Sequence, residues 1–139
     1  MISETIMNDL IFNGIEVLIV EDDFINFSLI KELICYLGLK HHWAKNGREA
    51  VEILANNENI SLVLMDINMP EMDGIAATKK IRESNVAIPI IFQTAYDSDE
   101  NRKECFEAGG NEFMSKPMKK EMLYSLLKKY LAKSQITQK

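Results

Sequence analysis

Val17-Leu18-Ile19-Val20-Glu21-Asp22-Asp23 decides the reading of this chain: four apolar residues in a row, then three carboxylates. A second apolar run, Leu62-Val63-Leu64-Met65, ends in Asp66. Two all-apolar strands that each finish in carboxylates put negative charge at one edge of a sheet. Carboxylates gathered that closely repel, and a hard divalent cation is the usual means of holding them ionised. The pattern makes a candidate Mg²⁺ site with a carboxylate nucleophile in it.

Outward from this pair, short strands alternate with amphipathic helical stretches. Glu16–Val20 is strand one. Phe24–Leu37 reads as a helix with Phe27, Ile30, Ile34 and Leu37 on one stripe, and Gly38 stands where a left-handed C′ residue is wanted. Leu39–Ala44 is a more polar second strand, suited to an edge. Asn46 caps a helix running to about Ala55, and Ser61–Met65 is strand three. Asp73 caps a helix through about Arg82, and Ile88–Gln93 is strand four, with Pro89 near its start. A helix beginning at Asp97–Ser98 ends near Ala108-Gly109-Gly110, and Glu112–Ser115 is strand five. Lys119–Ala132 closes the series and buries Leu123, Leu126, Leu127, Tyr130 and Leu131.

Five βα units in series predict an α/β fold: a doubly wound parallel sheet with helices on both faces. Residues at the C-terminal ends of the strands then line one crevice, where the strand order reverses. Glu21, Asp22, Asp66, Thr94 and Lys116 all fall at such ends.

A length of 139 residues suits one domain with its own core. No apolar run approaches the length of a bilayer span, so membrane insertion is not expected. The net charge of -5 argues against a direct nucleic-acid surface. A DNA-binding output domain would need roughly 60 further residues. Met1–Gly14 lacks the basic start and cleavage site of a secretory signal. Cys35 and Cys105, without a motif, fit a reducing compartment, and a cytoplasmic location is expected. Residues 1–14 read as a leader or linker, in which Ile2, Ile6 and Leu10 would make a short amphipathic helix; residues 15–133 form the domain, and 134–139 a polar tail.

The chain resembles a response-regulator receiver domain of two-component phosphorelay signalling. The matching residues are Val20-Glu21-Asp22-Asp23, Met65-Asp66-Ile67-Asn68-Met69-Pro70-Glu71-Met72-Asp73-Gly74, Gln93-Thr94-Ala95 and Lys116-Pro117. Any one of these motifs is weak, but all four in order are specific. The resemblance implies a flavodoxin-like strand order, 2-1-3-4-5. It makes Asp66 the phosphoacceptor. Mg²⁺ (or Mn²⁺) is bound directly by Asp22, Asp66 and the backbone carbonyl of Asn68, and Glu21 reaches it through water. Lys116 pairs with a phosphoryl oxygen and, before phosphorylation, with Asp66; the Lys116–Pro117 bond is typically cis in the family. Thr94 donates its hydroxyl to the phosphoryl group, and Phe113 occupies the place of an aromatic switch. The surface of the last two helices and the fifth strand then relays the state.

Physical chemistry agrees with this division of labour. A carboxylate is a modest nucleophile and must be held in line with phosphorus while the charge repulsion is neutralised. Taken singly, each residue has a bland reading: a solvated acidic rim, a solvated lysine, a β-favouring threonine, a core phenylalanine. Asp23 is the acid expected to point away. His41, His42 and Trp43 read as surface and packing residues, and the methionines near the site as gap fillers.

The implied donor is a histidine kinase or a histidine phosphotransfer protein, with a downstream protein target and, in some members, a phosphorylation-dependent homodimer. The implied activity is self-phosphorylation and slow self-dephosphorylation rather than metabolic catalysis. A haloacid-dehalogenase-type phosphohydrolase would want a second Asp where Asn68 stands. A flavin module would want glycines and hydroxyls where Glu21-Asp22-Asp23 stands. A phosphorylation-independent, receiver-like binding module remains the alternative. Both a stand-alone regulator and the receiver of a hybrid histidine kinase fit the sequence.

Overall fold

The structure, a computed structural model, describes residue 12, residues 14–84 and 87–137, with side-chain surroundings as far as 131. The helix expected over Ile2, Ile6 and Leu10 lies outside the described residues. The elements run β1 (Glu16–Val20), α1 (Phe24–Tyr36), β2 (Lys40–Ala44), α2 (Gly47–Ala55), β3 (Ile60–Asp66), α3 (Gly74–Ser84), β4 (Ile90–Thr94), α4 (Asp99–Ala108), β5 (Glu112–Ser115) and α5 (Lys120–Thr137). All strand pairs are parallel, in the order β2-β1-β3-β4-β5. The chain therefore winds one way from β1 to β2 and the other way from β1 to β3, and the reversal opens a crevice at the ends of β1 and β3.

Period-two alternation divides the strands between two cores. Val17, Ile19, Leu62, Leu64, Ile91 and Met114 face α1 and α5. Leu18, Val20, Val63, Met65, Ile90 and Phe92 face α2, α3 and α4. Burial on both faces is why the central strands read as unbroken apolar runs. β2, on the edge, carries Lys40, His41 and His42.

Four helix starts carry side-chain caps, of which Asn46 and Asp73 are the expected ones. Asp23 accepts from the Asn26 N–H (3.2 Å), Asn46 from that of Glu49 (2.8 Å), Asp73 from that of Ala76 (2.8 Å) and Ser98 from that of Asn101 (3.1 Å). Gly38 (φ 83°) and Gly109 (φ 114°) supply left-handed stops.

Several boundaries differ from expectation, and three of them bear on the site or the core. β4 begins at Ile90, because Pro89 has no N–H to offer the ladder and joins it only through its carbonyl, which accepts from the Val63 N–H at 2.9 Å. β3 extends to Asp66, which sits opposite Gln93 of β4. α5 continues past Ala132 to Thr137, since Lys133-Ser134-Gln135-Ile136 contains no Gly or Pro to stop it. Phe12, upstream of β1, is 1% exposed and meets Tyr124 of α5 edge-to-face, with ring centroids 6.3 Å apart.

Candidate functional site

The ends of four strands deliver the polar residues. Glu21 and Asp22 follow β1, Asp66 ends β3, Thr94 ends β4 and Lys116 follows β5. Carboxylate oxygens of Glu21, Asp22 and Asp66 all lie within 4.8 Å of one another. Glu21 (1% exposed) and Asp66 (6%) are buried, while Asp22 faces solvent. Lys116 Nζ donates to Glu21 Oε1 at 2.7 Å and stands 3.6 Å from Asp66 Oδ1. The nearer partner of the lysine is thus Glu21, where the resemblance put Asp66. Glu21 is the deeper carboxylate, and its other oxygen accepts from the Asp23 N–H at 3.2 Å. The Lys116–Pro117 bond is cis.

Asp66 Oδ1 accepts from the Ile67 N–H at 2.9 Å. Burial, and then the charge of Glu21, push the Asp66 carboxyl up to about 7; Lys116 and the Ile67 N–H pull the other way, and Asp22 adds to the rise. The donor set is all hard oxygen, the chemistry that Mg²⁺ and its relatives prefer. A divalent cation would relieve the repulsion that raises the carboxyl. Asn68 lies exposed in the loop directly after β3.

That loop is held from two sides. A Cβ on Gly74 would lie 2.0 Å from the Asp66 carbonyl oxygen, so only glycine lets α3 start this close to β3. The Gly74 N–H donates to the Ile67 carbonyl at 2.8 Å. Glu71 sits at φ 67°, unusual for a residue with a side chain, and accepts from Asn46 Nδ2 at 2.8 Å. Arg48 lies 3.6 Å from the same oxygen.

Thr94 is fully buried; its hydroxyl accepts from the Tyr96 N–H at 3.1 Å and its carbonyl from the Lys116 N–H at 2.7 Å. Phe113 is half-buried on the α2–α4 side of the sheet, with the Arg102 guanidinium 4.8 Å from its ring centroid. Arg102 also grips both oxygens of Asp97, at 2.7 and 2.8 Å, and Ser115 Oγ donates to Asp97 at 2.6 Å. Hydrogen bonds from Arg102 and Ser115 hold the Asp97 carboxyl down at about 2.

The structure therefore brings Glu21, Asp22, Asp66 and Lys116 together, ties Thr94 to Lys116 through the backbone, and leaves Phe113 toward the α4 side. Asp23 turns to cap α1. Sequence reasoning missed two supports. Trp43 Nε1 donates to the Glu21 carbonyl at 2.8 Å while its ring stacks on Phe27 at 4.0 Å. Its donor N–H was visible as a residue type, but its partner depended on the β1–β2 register. Asn46, a helix cap by its place in the sequence, also holds Glu71.

An open, doubly wound parallel sheet with an acidic cluster and a lysine at its strand ends defines a flavodoxin-like domain with a cation-receptive crevice. Residues 17–128 match the response regulator receiver domain, and the chain belongs to that family. It is 39% identical over 112 residues to two-component response regulator 24 of Arabidopsis thaliana, covering 81% of each chain. Against the osmosensing histidine protein kinase SLN1 of Saccharomyces cerevisiae it is 36% identical, but spans only 10% of that protein's length. The receiver domain of the Pseudomonas aeruginosa sensor histidine kinase PA1611, solved with magnesium in its active site cleft, superposes with a TM-score of 0.78 at 33% identity, covering 84% of this chain and 97% of that one. The receiver of Saccharomyces cerevisiae Ssk1, solved with the histidine phosphotransfer protein Ypd1, gives 0.79 at 29% identity, with 86% and 90% covered. Among the described residues, no helix is long and apolar enough to cross a membrane.

Proposed function

We propose that Asp66 takes a phosphoryl group from the phosphohistidine of a histidine kinase or histidine phosphotransfer protein. The observation that carries this reading is one buried carboxylate at the end of β3, within 4.8 Å of two others and 3.6 Å from a lysine ammonium. Asp22, Asp66 and the Asn68 carbonyl would hold Mg²⁺ (or Mn²⁺), with Glu21 reaching it through water; the bound cation supplies charge neutralisation for the phosphoryl oxygens and for the acids themselves.

The protein's own residues do the rest. An Asp66 carboxylate oxygen bonds to phosphorus as the P–N bond to the donor imidazole breaks, and that electron pair returns to the imidazole. Lys116 exchanges a carboxylate for a phosphoryl oxygen, as a point charge on a flexible stem can. Thr94 releases the Tyr96 N–H contact and donates its hydroxyl to the acyl phosphate. Phe113 then turns into the space left by Thr94, and α4, β5 and α5 present the altered surface to a protein target or to a second copy of the chain. The receiver unit spans residues 15–133, and the two free cysteines suit a cytoplasmic setting.

Intact mass after incubation with acetyl phosphate tests the reading. A gain of one phosphoryl group that needs Mg²⁺, and that Asp66→Asn loses, is the expected result. No gain from acetyl phosphate or from a phosphohistidine donor would favour the phosphorylation-independent binding module instead.

A further inference from the structure

Asn68 stands in the loop between β3 and α3. Among the described residues, the hydrogen bonds that reach 68–72 of this loop from another element both come from the start of α2. The Gly47 N–H donates to the Met72 carbonyl at 2.9 Å, and Asn46 Nδ2 donates to Glu71 Oε2 at 2.8 Å. The approach is close: a Cβ on Gly47 would lie 2.4 Å from the Met72 carbonyl oxygen. The two ends of the loop are fixed separately, by β3 and by the Gly74 N–H on the Ile67 carbonyl.

Asn46 uses both halves of its amide. Oδ1 accepts from the Glu49 N–H at 2.8 Å and caps α2. A cap needs only that acceptor, and Asp or Ser supplies it as well. The donor half serves another purpose: it meets Glu71, which stands at φ 67°. A residue with a side chain keeps such a left-handed backbone where its surroundings hold it there. Asn46 is 7% exposed, so its bond to the carboxylate is shielded from water on one side. Hydrogen bonds to a charged acceptor are among the stronger ones. Arg48, exposed and 3.6 Å from the same oxygen, adds only a surface pair of small worth.

We infer that Asn46 is a positioning residue for the cation: by holding Glu71 left-handed, it sets the loop so that the Asn68 carbonyl is presented to the metal. The inference rests on the metal ligands proposed above. Asn68 lies three residues before Glu71, and Pro70 between them limits the freedom of the backbone. A shift at Glu71 therefore passes on to Asn68 rather than being absorbed on the way. Asn46 acts through the loop and not by coordination, so the start of α2 tunes Mg²⁺ affinity.

The test is a Mg²⁺ titration of the ¹⁵N-labelled full chain, read from the amide shifts of Asp22, Ile67 and Asn68, beside urea unfolding in EDTA. Asn46→Ser keeps a capping oxygen, but its shorter side chain does not reach Glu71. It is expected to bind Mg²⁺ about fivefold more weakly, the effect of one hydrogen bond. Urea unfolding, which reads the cap, should change little. Asn46→Asp combined with Glu71→Gln reverses donor and acceptor, keeps the cap and leaves the net charge as it was; it should restore wild-type affinity. Unchanged affinity in Asn46→Ser, or affinity left low in the reversed pair, overturns the inference and leaves Asn46 a cap. A wild-type chain without saturable shifts at these amides would overturn the cation site itself, and this inference with it, so the two failures are read apart.

Discussion

Lys116 Nζ is bonded to Glu21 at 2.7 Å, closer than to the carboxylate whose chemistry it serves. Two buried acids share one ammonium, so removing the ammonium leaves both uncompensated. Lys116→Met is therefore expected to cost the metal-free protein on the order of 2 kcal/mol in urea unfolding, with Mg²⁺ restoring part of the loss. Labelling by acetyl phosphate should slow at least tenfold, a figure that corresponds to about 1.4 kcal/mol. Unchanged labelling would remove Lys116 from the site.

The raised carboxyl of Asp66 makes a pH prediction. Its folded value, about 7, lies above the ordinary 3.8, so the folded state binds this proton more tightly than the unfolded chain. Above pH 7 the full cost of the buried charge is present, and it is relieved as pH falls from 7 toward 4. In EDTA, Asp66→Asn should stabilise the fold at pH 8, on the order of 2 kcal/mol, and the gain should shrink by pH 5. Adding Mg²⁺ should reduce or reverse it. A mutant no more stable than wild type at pH 8 would show that the charge is not under strain.

Much of this was legible in the residues. The unbroken apolar runs gave the buried strands, the caps Asn46 and Asp73 and the pair Asp97–Ser98 gave helix starts, and the polar residues at strand ends gave the crevice. What was hidden depended on register or on single contacts. Trp43 reaches the Glu21 carbonyl only because β2 lies beside β1. Phe12 falls off the Ile2, Ile6 and Leu10 stripe, and no local pattern tells a core anchor from a linker residue. Gln93 read as part of a motif, and that its buried amide meets no hydrogen-bond partner among the described residues follows from tertiary packing rather than from local sequence.

The two thiols should separate chemically. Cys35 is exposed, whereas Cys105 is buried in the α2–α4 core, and burial, helped by Glu104, pushes its thiol up to about 12. A thiolate is the reacting species in alkylation. Iodoacetamide at pH 8 is expected to add one group to the native chain and a second only in denaturant, read by intact mass. Rapid double addition to the native protein would contradict the packing of α4.

Two glycines should respond differently to alanine, because they are glycine for different reasons. Gly38 takes φ 83° with nothing within 4 Å of an added Cβ, so Gly38→Ala meets only the left-handed backbone penalty, about 1 kcal/mol. At Gly74 the added carbon would lie 2.0 Å from the Asp66 carbonyl oxygen and 2.9 Å from Met65 Cγ. Backbone cannot give way as a flexible side chain can, so α3 or the end of β3 must move, at a cost on the order of 3 kcal/mol. The displaced atoms belong to the proposed acceptor and the loop carrying Asn68. Gly74→Ala should therefore lose Mg²⁺ affinity and acetyl-phosphate labelling even where it stays folded, while Gly38→Ala, at the far end of α1, keeps both. Equal effects of the two substitutions on labelling would mean that the close approach at Gly74 does not set the geometry of the crevice.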